Sequence, residues 1–393
     1  MVTEAVDTGA RVPAAMAAMQ LTGHGGLEQL VYRDDVPVPV ASAGEVVVEV
    51  TATAKNNTDR KAREGLYATG RRATTTSFAV AGDPTLVFPR IQGADIVGRI
   101  AAVGSGVDPA RIGERGLLDF NIYADDRRDI NLMPDYYGHG ADGGFAEYVA
   151  VPADQFHGID DAQLTDAELA SLGMCSYQTA YHMLTAADVA AGEYVLVTGA
   201  SGGVGTALIQ LCRVLGAVPI ALSMPEKAAR VHQVGAEVVL DRSQPESLLD
   251  QVREATGGAP IDAVMDLLGG TVTESLIATM TFDMRARATY PRLSIAGASA
   301  GRATELPWAL VYLYQVRIVG VSHGTRAEAE QLIEWIRMRR LAPILHGTFR
   351  LSALREAEQY FADQSRQTVG KIVIVPDRHW ATHGAPYALA DTP

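Results

Sequence analysis

The sequence predicts an α/β protein: a doubly wound parallel sheet of six strands joined to a second, β-rich domain of barrel type. Three observations carry this. Val195-Leu196-Val197-Thr198 is a short apolar run of strand type that ends in Gly199-Ala200-Ser201-Gly202-Gly203-Val204-Gly205. A helical pattern follows at once, with Val204, Ala207, Leu208, Leu211, Cys212 and Leu215 at 3- and 4-residue spacing. Strand- and helix-type segments alternate from about residue 166 onward, whereas strands with glycine turns dominate the stretch before residue 150.

Strand, glycine turn and helix together form the first half of a dinucleotide-binding unit. A side chain in the turn would hold the backbone away from a pyrophosphate. The helix N-terminus offers that anion free N–H groups and the positive end of its dipole.

Length and composition bound the rest. A chain of 393 residues suggests about two domains. It is 48% hydrophobic and 20% charged, as expected of an ordinary globular protein. No apolar run reaches the roughly 18 residues a membrane span needs. The first residues, polar and small, lack the basic and apolar blocks of a secretion signal and read as a loose tail. Two cysteines, Cys175 and Cys212, cannot build a disulfide framework, so a cytoplasmic setting is expected. A net charge of −13 disfavours nucleic acid and anionic membranes as partners.

In chain order, 46–50 and 96–103 read as strands, and Phe145-Ala146-Glu147-Tyr148-Val149 as a third. A long polar segment, 59–93, reads as a lid or loop. A helix through Leu169 and Leu172 precedes a second at Thr179–Leu184. Strands are then expected near 195–198, 218–222, 237–240, 262–266, 292–296 and 316–321. Crossover helices fall near 204–216, 225–234, 246–256 and 271–280. An amphipathic helix (327–339) and a last strand, Lys371-Ile372-Val373-Ile374-Val375, close the chain. That strand is expected to return to the first domain. The first domain then comprises 17–165 and 325–376, the second 166–324, with 1–16 and 377–393 as flexible tails.

This order of parts resembles the medium-chain dehydrogenase/reductase superfamily, which includes zinc alcohol dehydrogenases, quinone oxidoreductases and enoyl-thioester reductases. Besides the glycine turn, the resemblance rests on Gly93-Ala94-Asp95-Ile96-Val97-Gly98 and Gly143-Gly144-Phe145-Ala146-Glu147-Tyr148. It also rests on Gly235-Ala236, on Asp266 with Gly269-Gly270, and on Val369-Gly370-Lys371-Ile372-Val373. It covers about 17–375 and implies a Rossmann cofactor domain and a GroES-like barrel.

Zinc members of that superfamily carry a Cys before a Thr/Ser-Asp pair and a His in a Gly-His-Glu. Here those positions are Asn56, before Asn57-Thr58-Asp59, and Ala94. Cys175 matches a third ligand position, but two of the three ligands that catalytic zinc requires are missing. No structural four-cysteine lobe exists. The resemblance is therefore to the zinc-independent quinone oxidoreductase and enoyl reductase branches, and no metal is expected. Asn56 can donate and accept hydrogen bonds. Its expected role is to orient the nicotinamide or a substrate carbonyl; a turn asparagine bonded to its own backbone is the other reading.

NAD-specific folds place an acid at the end of the second strand. Here Ser223 stands there, Lys227 follows, and Arg242 ends the third strand. A hydroxyl and two cations suit a 2′-phosphate, which favours NADPH; Glu226 argues the other way. The expected cofactor site is Thr179, Gly199, Ser201, Gly202, Gly203, Val204, Ser223, Lys227, Arg242 and Gly297. Thr58 and Thr179 match positions that line the nicotinamide pocket in the family.

Without a Lewis acid, hydride addition to an enone or enoyl thioester is easier than to an isolated carbonyl, because an enolate can be held by hydrogen bonds and then protonated. The resemblance puts Tyr67, in Gly65-Leu66-Tyr67, at the active site beside Asn56 and Thr58, and these three are the expected catalytic residues. Tyr67 as an aromatic packed under the loop is the competing reading. Arg60, Lys61, Arg63, Arg71 and Arg72 form a basic cluster. It would suit a coenzyme A or acyl-carrier thioester, or be a solvated face. Tyr136, Tyr137 and His139 are candidates for a further wall. Three functions remain open: an NADPH-dependent reductase of an activated C=C bond or quinone, a zinc-independent carbonyl or alcohol oxidoreductase, and a non-catalytic NADPH-binding protein. The apolar strand 316–321 ends the sheet, and its edge predicts a homodimer.

Overall fold

The computed structural model describes residues 12–67, 79–80, 83–123, 135–283, 289–301 and 303–389. The barrel-type domain opens with the antiparallel pair β1 (Ala15–Leu21) and β2 (Leu30–Pro37). Its main sheet contains β3 (Glu45–Ala54), β4 (Asp95–Val103), β5 (Arg115–Leu118), β6 (Tyr148–Pro152) and β7 (Phe156–Gly158), completed by β14 (Leu345–Arg350) and β15 (Lys371–Val375). The long strand β3 organises it. One edge pairs with β4; the other is shared, with Glu45–Glu49 against β6 and Thr53–Ala54 against β15. The last strand of the chain thus lies beside the first long one.

Between them in sequence runs the cofactor-type sheet: β8 (Tyr194–Val197), β9 (Val218–Ser223), β10 (Val238–Asp241), β11 (Ala263–Asp266), β12 (Arg292–Ile295) and β13 (Arg317–Gly320). Every pairing is parallel and the order is β10-β9-β8-β11-β12-β13. The order reverses between β8 and β11, the switch point where such sheets bind ligands. β11 is buried throughout and β8 from Val195 on, as strands with helices on both faces must be.

The helices are α1 (Asn57–Arg63), α2 (Asp166–Ser171), α3 (Met174–Ala186), α4 (Gly203–Leu215), α5 (Ala228–Val234), α6 (Leu248–Ala255), α7 (Thr273–Thr281), α8 (Trp308–Leu313), α9 (Arg326–Arg337) and α10 (Leu354–Ala362). One core spans both domains: Ala52, Val97 and Val373 of the barrel join Leu172, Tyr177, Val197 and Leu211. The two domains therefore share packing, and the cleft between them has a fixed floor.

Four expectations need correction. The strand expected at 145–149 starts at Tyr148, because Phe145 N–H is already bonded to Gln92 O in a turn. The helix expected at 179–184 is part of α3, which starts at Met174 and contains Cys175. The segment 59–93 is not loop throughout: it begins inside α1, whose start is fixed by Asn56 N–H bonding the Asp59 carboxylate at 2.7 Å. Residues 15–16 and 377–387 of the expected tails belong to the barrel. β1 begins at Ala15, and 377–387 coil in short turns against β14, with Thr348 Oγ1 donating to Gly384 O at 2.7 Å.

Candidate active site

The cleft floor is built where β3, β4, β15 and α3 meet. Asp95 opens β4 opposite Ala54. The N-terminus of α3 comes so close that a Cβ on Gly173 would stand 2.1 Å from the Asp95 carboxyl carbon. This approach lets Cys175 N–H donate to Asp95 Oδ1 at 2.8 Å. Lys371, at the start of β15, points its ammonium into the same spot. It donates to Asn56 Oδ1 at 2.5 Å, Asp95 Oδ2 at 3.0 Å and Ser176 Oγ at 3.1 Å, so its three protons meet three acceptors. Asn56 Nδ2 donates to Asp95 Oδ2 at 2.8 Å and Ala54 O at 3.2 Å.

This corrects the expected role of Asn56. The residue is 6% exposed, and both ends of its amide are engaged inside the network. Asn56 holds Lys371 and Asp95 in place rather than reaching the nicotinamide or a substrate carbonyl. The same geometry tests whether zinc would fit. Asn56 supplies an amide already bonded to an ammonium, Ala94 supplies no donor atom, and burial holds the Cys175 thiol well above its ordinary pKa. A thiolate-binding cation next to a fixed ammonium is unfavourable. These residues do not fit a catalytic zinc. Among the described residues no group of three or more His, Cys, Asp and Glu side chains could hold a metal ion.

Behind the floor lies a second buried network. Lys55 Nζ pairs with Glu358 at 2.9 Å and Arg63 with the same carboxylate at 3.3 Å. Burial pushes the Asp59 carboxyl up to about 7, with Lys55 opposing. Arg63 is 4% exposed. It therefore leaves the basic cluster expected at the pocket mouth, since its charge is spent inside the barrel. Arg71 and Arg72 lie outside the described residues.

Above the floor three hydroxyls form a chain. Thr58 Oγ1 is hydrogen-bonded to Tyr67 OH and, at 2.7 Å, to Tyr136 OH. Burial raises the pKa of both phenols, so both stay protonated at neutral pH. Tyr136 lies beside His139, whose Nδ1 meets Asp135 at 2.7 Å. Tyr67 and Thr58 are thus brought together as the sequence suggested, and Tyr136 joins them. Thr179 Oγ1 donates back to Cys175 O at 2.8 Å within α3.

The cofactor side begins at the glycine turn. Gly199 has a φ of 59°, which a residue with a Cβ adopts only under strain. A Cβ on Gly203 would meet Lys371 Cδ and Ser176 Oγ at 2.7 Å, so the start of α4 touches the cleft floor. Ser201 O accepts from Gly370 N–H at 2.9 Å, which ties the turn to β15. Gly202 caps α4 and Val204 packs on the common core. Gly297 backs onto Leu267 O, 2.5 Å from where its Cβ would be.

At the far end, Ser223 is 4% exposed and its Oγ has no hydrogen-bond partner. Arg242 N–H donates to Ser223 O at 2.9 Å, and Lys227, four residues beyond Ser223, has its pKa lowered, first by burial and then by Arg242 and Arg230, with Glu226 opposing. Arg230 also contacts His346 Nδ1 at 3.2 Å. An orphaned hydroxyl at this strand end, with Lys227 destabilised by two further cations, suits an anion. Sequence reasoning missed Arg230 and His346 because they reach this spot from α5 and β14, 116 residues apart. It missed Lys371 as a site residue for the same reason.

The fold, glycine turn and cleft together define a nicotinamide-cofactor dehydrogenase of two domains. The chain belongs to the medium-chain dehydrogenase/reductase superfamily. Residues 42–161 match the alcohol dehydrogenase GroES-like domain and 203–338 the zinc-binding dehydrogenase domain. A crystal structure from Sinorhizobium meliloti 1021, provisionally described as an alcohol dehydrogenase, is 47% identical with a TM-score of 0.85. The match covers 93% of this chain and 98% of that one. From Sulfurisphaera tokodaii, an NAD-dependent alcohol dehydrogenase is 25% identical over 92% of this chain and 100% of its own length. An acryloyl-coenzyme A reductase from the same organism is 24% identical over 87% and 96%.

Proposed function

We propose that this protein is an NADPH-dependent reductase that sends hydride to the β-carbon of an activated C=C bond, in an enone or enoyl thioester, without catalytic zinc. The observation that carries the reading is the buried Lys371–Asp95–Asn56–Ser176 network, which takes the place of a metal-binding set with residues that hold one another. With no Lewis acid available, stabilisation of a developing oxyanion falls to hydroxyl donors. Tyr67, Thr58 and Tyr136 supply these next to the floor. Bound NADPH would supply the hydride. The cationic group of Lys227, Arg230 and Arg242 near the unpartnered Ser223 hydroxyl supports the phosphorylated cofactor, and the one acid among them, Glu226, is exposed. The kinship with an acryloyl-coenzyme A reductase supports the alkene as acceptor.

The protomer is further proposed to work as a homodimer in the cytoplasm. β13 is an edge strand with mostly exposed residues, and Ile318, Trp308, Tyr312 and Leu313 around it are 40%, 66%, 68% and 63% exposed. Such an apolar edge favours pairing with a second copy. Both cysteines are free, which suits a reducing compartment. No helix among the described residues is long and apolar enough to cross a membrane.

The test is NADPH absorbance against enones, enoyl-CoA esters, quinones and aldehydes, with and without chelator. Oxidation with enones or enoyl esters that survives chelation is expected. Turnover confined to aldehydes or alcohols would move the protein to the carbonyl branch, and no turnover at all would leave a binding protein.

A further inference from the structure

His323 follows β13, at the carboxyl end of the cofactor-type sheet, and is a non-glycine residue with a φ of 58°. Such a left-handed conformation is uncommon for a residue with a Cβ and persists only where surroundings impose it. The surroundings here are explicit. Val321 N–H bonds Ile295 O at 2.9 Å before it, and Gln178 Nε2 donates to Thr325 O at 2.7 Å after it. Asn121 Nδ2 reaches both Gln178 Oε1, at 2.9 Å, and Gly324 O, at 3.4 Å. The turn is thus bolted to α3 and to the barrel, and the imidazole is directed across the seam between the domains.

There the ring lies 4.9 Å from Phe120 and 5.5 Å, edge-on, from Tyr136. Tyr136 is the inner end of the hydroxyl chain through Thr58 to Tyr67. Nδ1 of His323 is buried without a hydrogen-bond partner. An orphaned N–H is rarer and more costly than an orphaned acceptor. The proton of the neutral ring is therefore assigned to Nε2, which leaves that nitrogen as the one to meet a ligand. Burial and the neighbouring His139 hold the pKa down to about 4, against a raising influence of Asp135, so the ring is neutral at physiological pH.

We infer that His323 is a substrate-binding residue of the reductase site, donating Nε2–H to the carbonyl oxygen of the acceptor. This rests on the reductase reading above. When hydride reaches the β-carbon, the C=C pair shifts to the α-carbon and the carbonyl oxygen gains charge. One proton then adds at the α-carbon, so the acceptor gains one hydride and one proton and the cofactor leaves oxidised. A neutral imidazole donor stabilises the enolate oxygen without giving up its own proton. The donor comes from the cofactor domain while Phe120, Thr58, Tyr67 and Tyr136 come from the barrel. The oxygen site is complete only when both domains contribute.

The test uses the whole protein with His323→Phe, which keeps ring bulk and removes the donor, and His323→Asn, which keeps a donor and tolerates left-handed backbone. NADPH turnover, NADPH affinity and binding of butyryl-CoA or cyclohexanone to the NADP+ form are measured for each. His323→Phe should lower kcat/KM at least about tenfold and weaken the saturated ligand similarly, with NADPH affinity within about twofold. His323→Asn should recover most of the loss. Wild-type behaviour in His323→Phe overturns the inference, as does equal damage in both variants, which would mark a purely structural ring. If wild type reduces no acceptor, yet His323→Phe weakens carbonyl-ligand binding about tenfold, the reductase reading fails and the oxygen site stands. Ligand binding indifferent to residue 323 removes the site as well.

Discussion

Lys371 Nζ and Asp95 Oδ2 lie 3.0 Å apart at the bottom of the cleft, with side chains 4% and 0% exposed. Between β15, near the end of the chain, and β4, near its beginning, this pair joins the returning segment to the first domain. Removing one member leaves a buried charge without compensation. Lys371→Met or Asp95→Asn should each cost about 3–5 kcal/mol, whereas the double variant should cost clearly less than the sum. Urea unfolding of the four proteins measures this; additive losses would mean that the two charges act independently.

The anion seat predicts cofactor choice. NADPH should bind at least about tenfold more tightly than NADH, roughly 1.4 kcal/mol. Lys227→Ala should weaken NADPH far more than NADH, and Arg230→Ala should do so in the same sense. Fluorescence titration of both cofactors decides it, and equal affinities would remove the phosphate site.

Purified protein should hold no stoichiometric zinc, because Asn56 is bonded to Lys371 and Ala94 offers no ligand. About one zinc per chain surviving dialysis would overturn this reading of the floor.

If the Tyr67 hydroxyl also supplies the proton to the α-carbon, Tyr67→Phe should lower turnover by roughly 10², the usual scale for a positioned acid, while NADPH affinity stays nearly constant. The raised phenol pKa keeps the proton available across the physiological range. Near-normal turnover would assign α-carbon protonation to solvent.

Stability should fall as pH rises. Burial pushes the Asp119 carboxyl up to about 7, with the Tyr123 hydroxyl, 2.7 Å away, opposing. Between its unfolded value of 3.8 and about 7 the folded state keeps a proton that the unfolded chain has lost. Raising the pH through that window therefore favours unfolding, and above it the loss is complete. Asp119→Asn should flatten this slope, by on the order of 2–4 kcal/mol over the whole window. Urea midpoints at pH 5, 6, 7 and 8 provide the check; an unchanged slope would place the titration elsewhere.

Local sequence was enough to place the alternation of β8 to β13 with their helices, since buried parallel strands are short apolar runs and the glycines mark a turn that a Cβ would block. It also put Thr58 near Tyr67, nine residues apart, and set Ser223 and Lys227 four apart at one strand end. Such local relations follow from chain geometry. Tertiary structure alone decided the rest. Asn56 turned inward because Lys371, 315 residues later, arrives to bond it. Arg63 turned inward because Glu358 waits beneath α1. His323 meets Phe120 and Tyr136 only because the two domains close on one cleft. A buried charge or amide takes its direction from whatever partner can compensate its desolvation, and in this protein those partners lie on distant strands and helices.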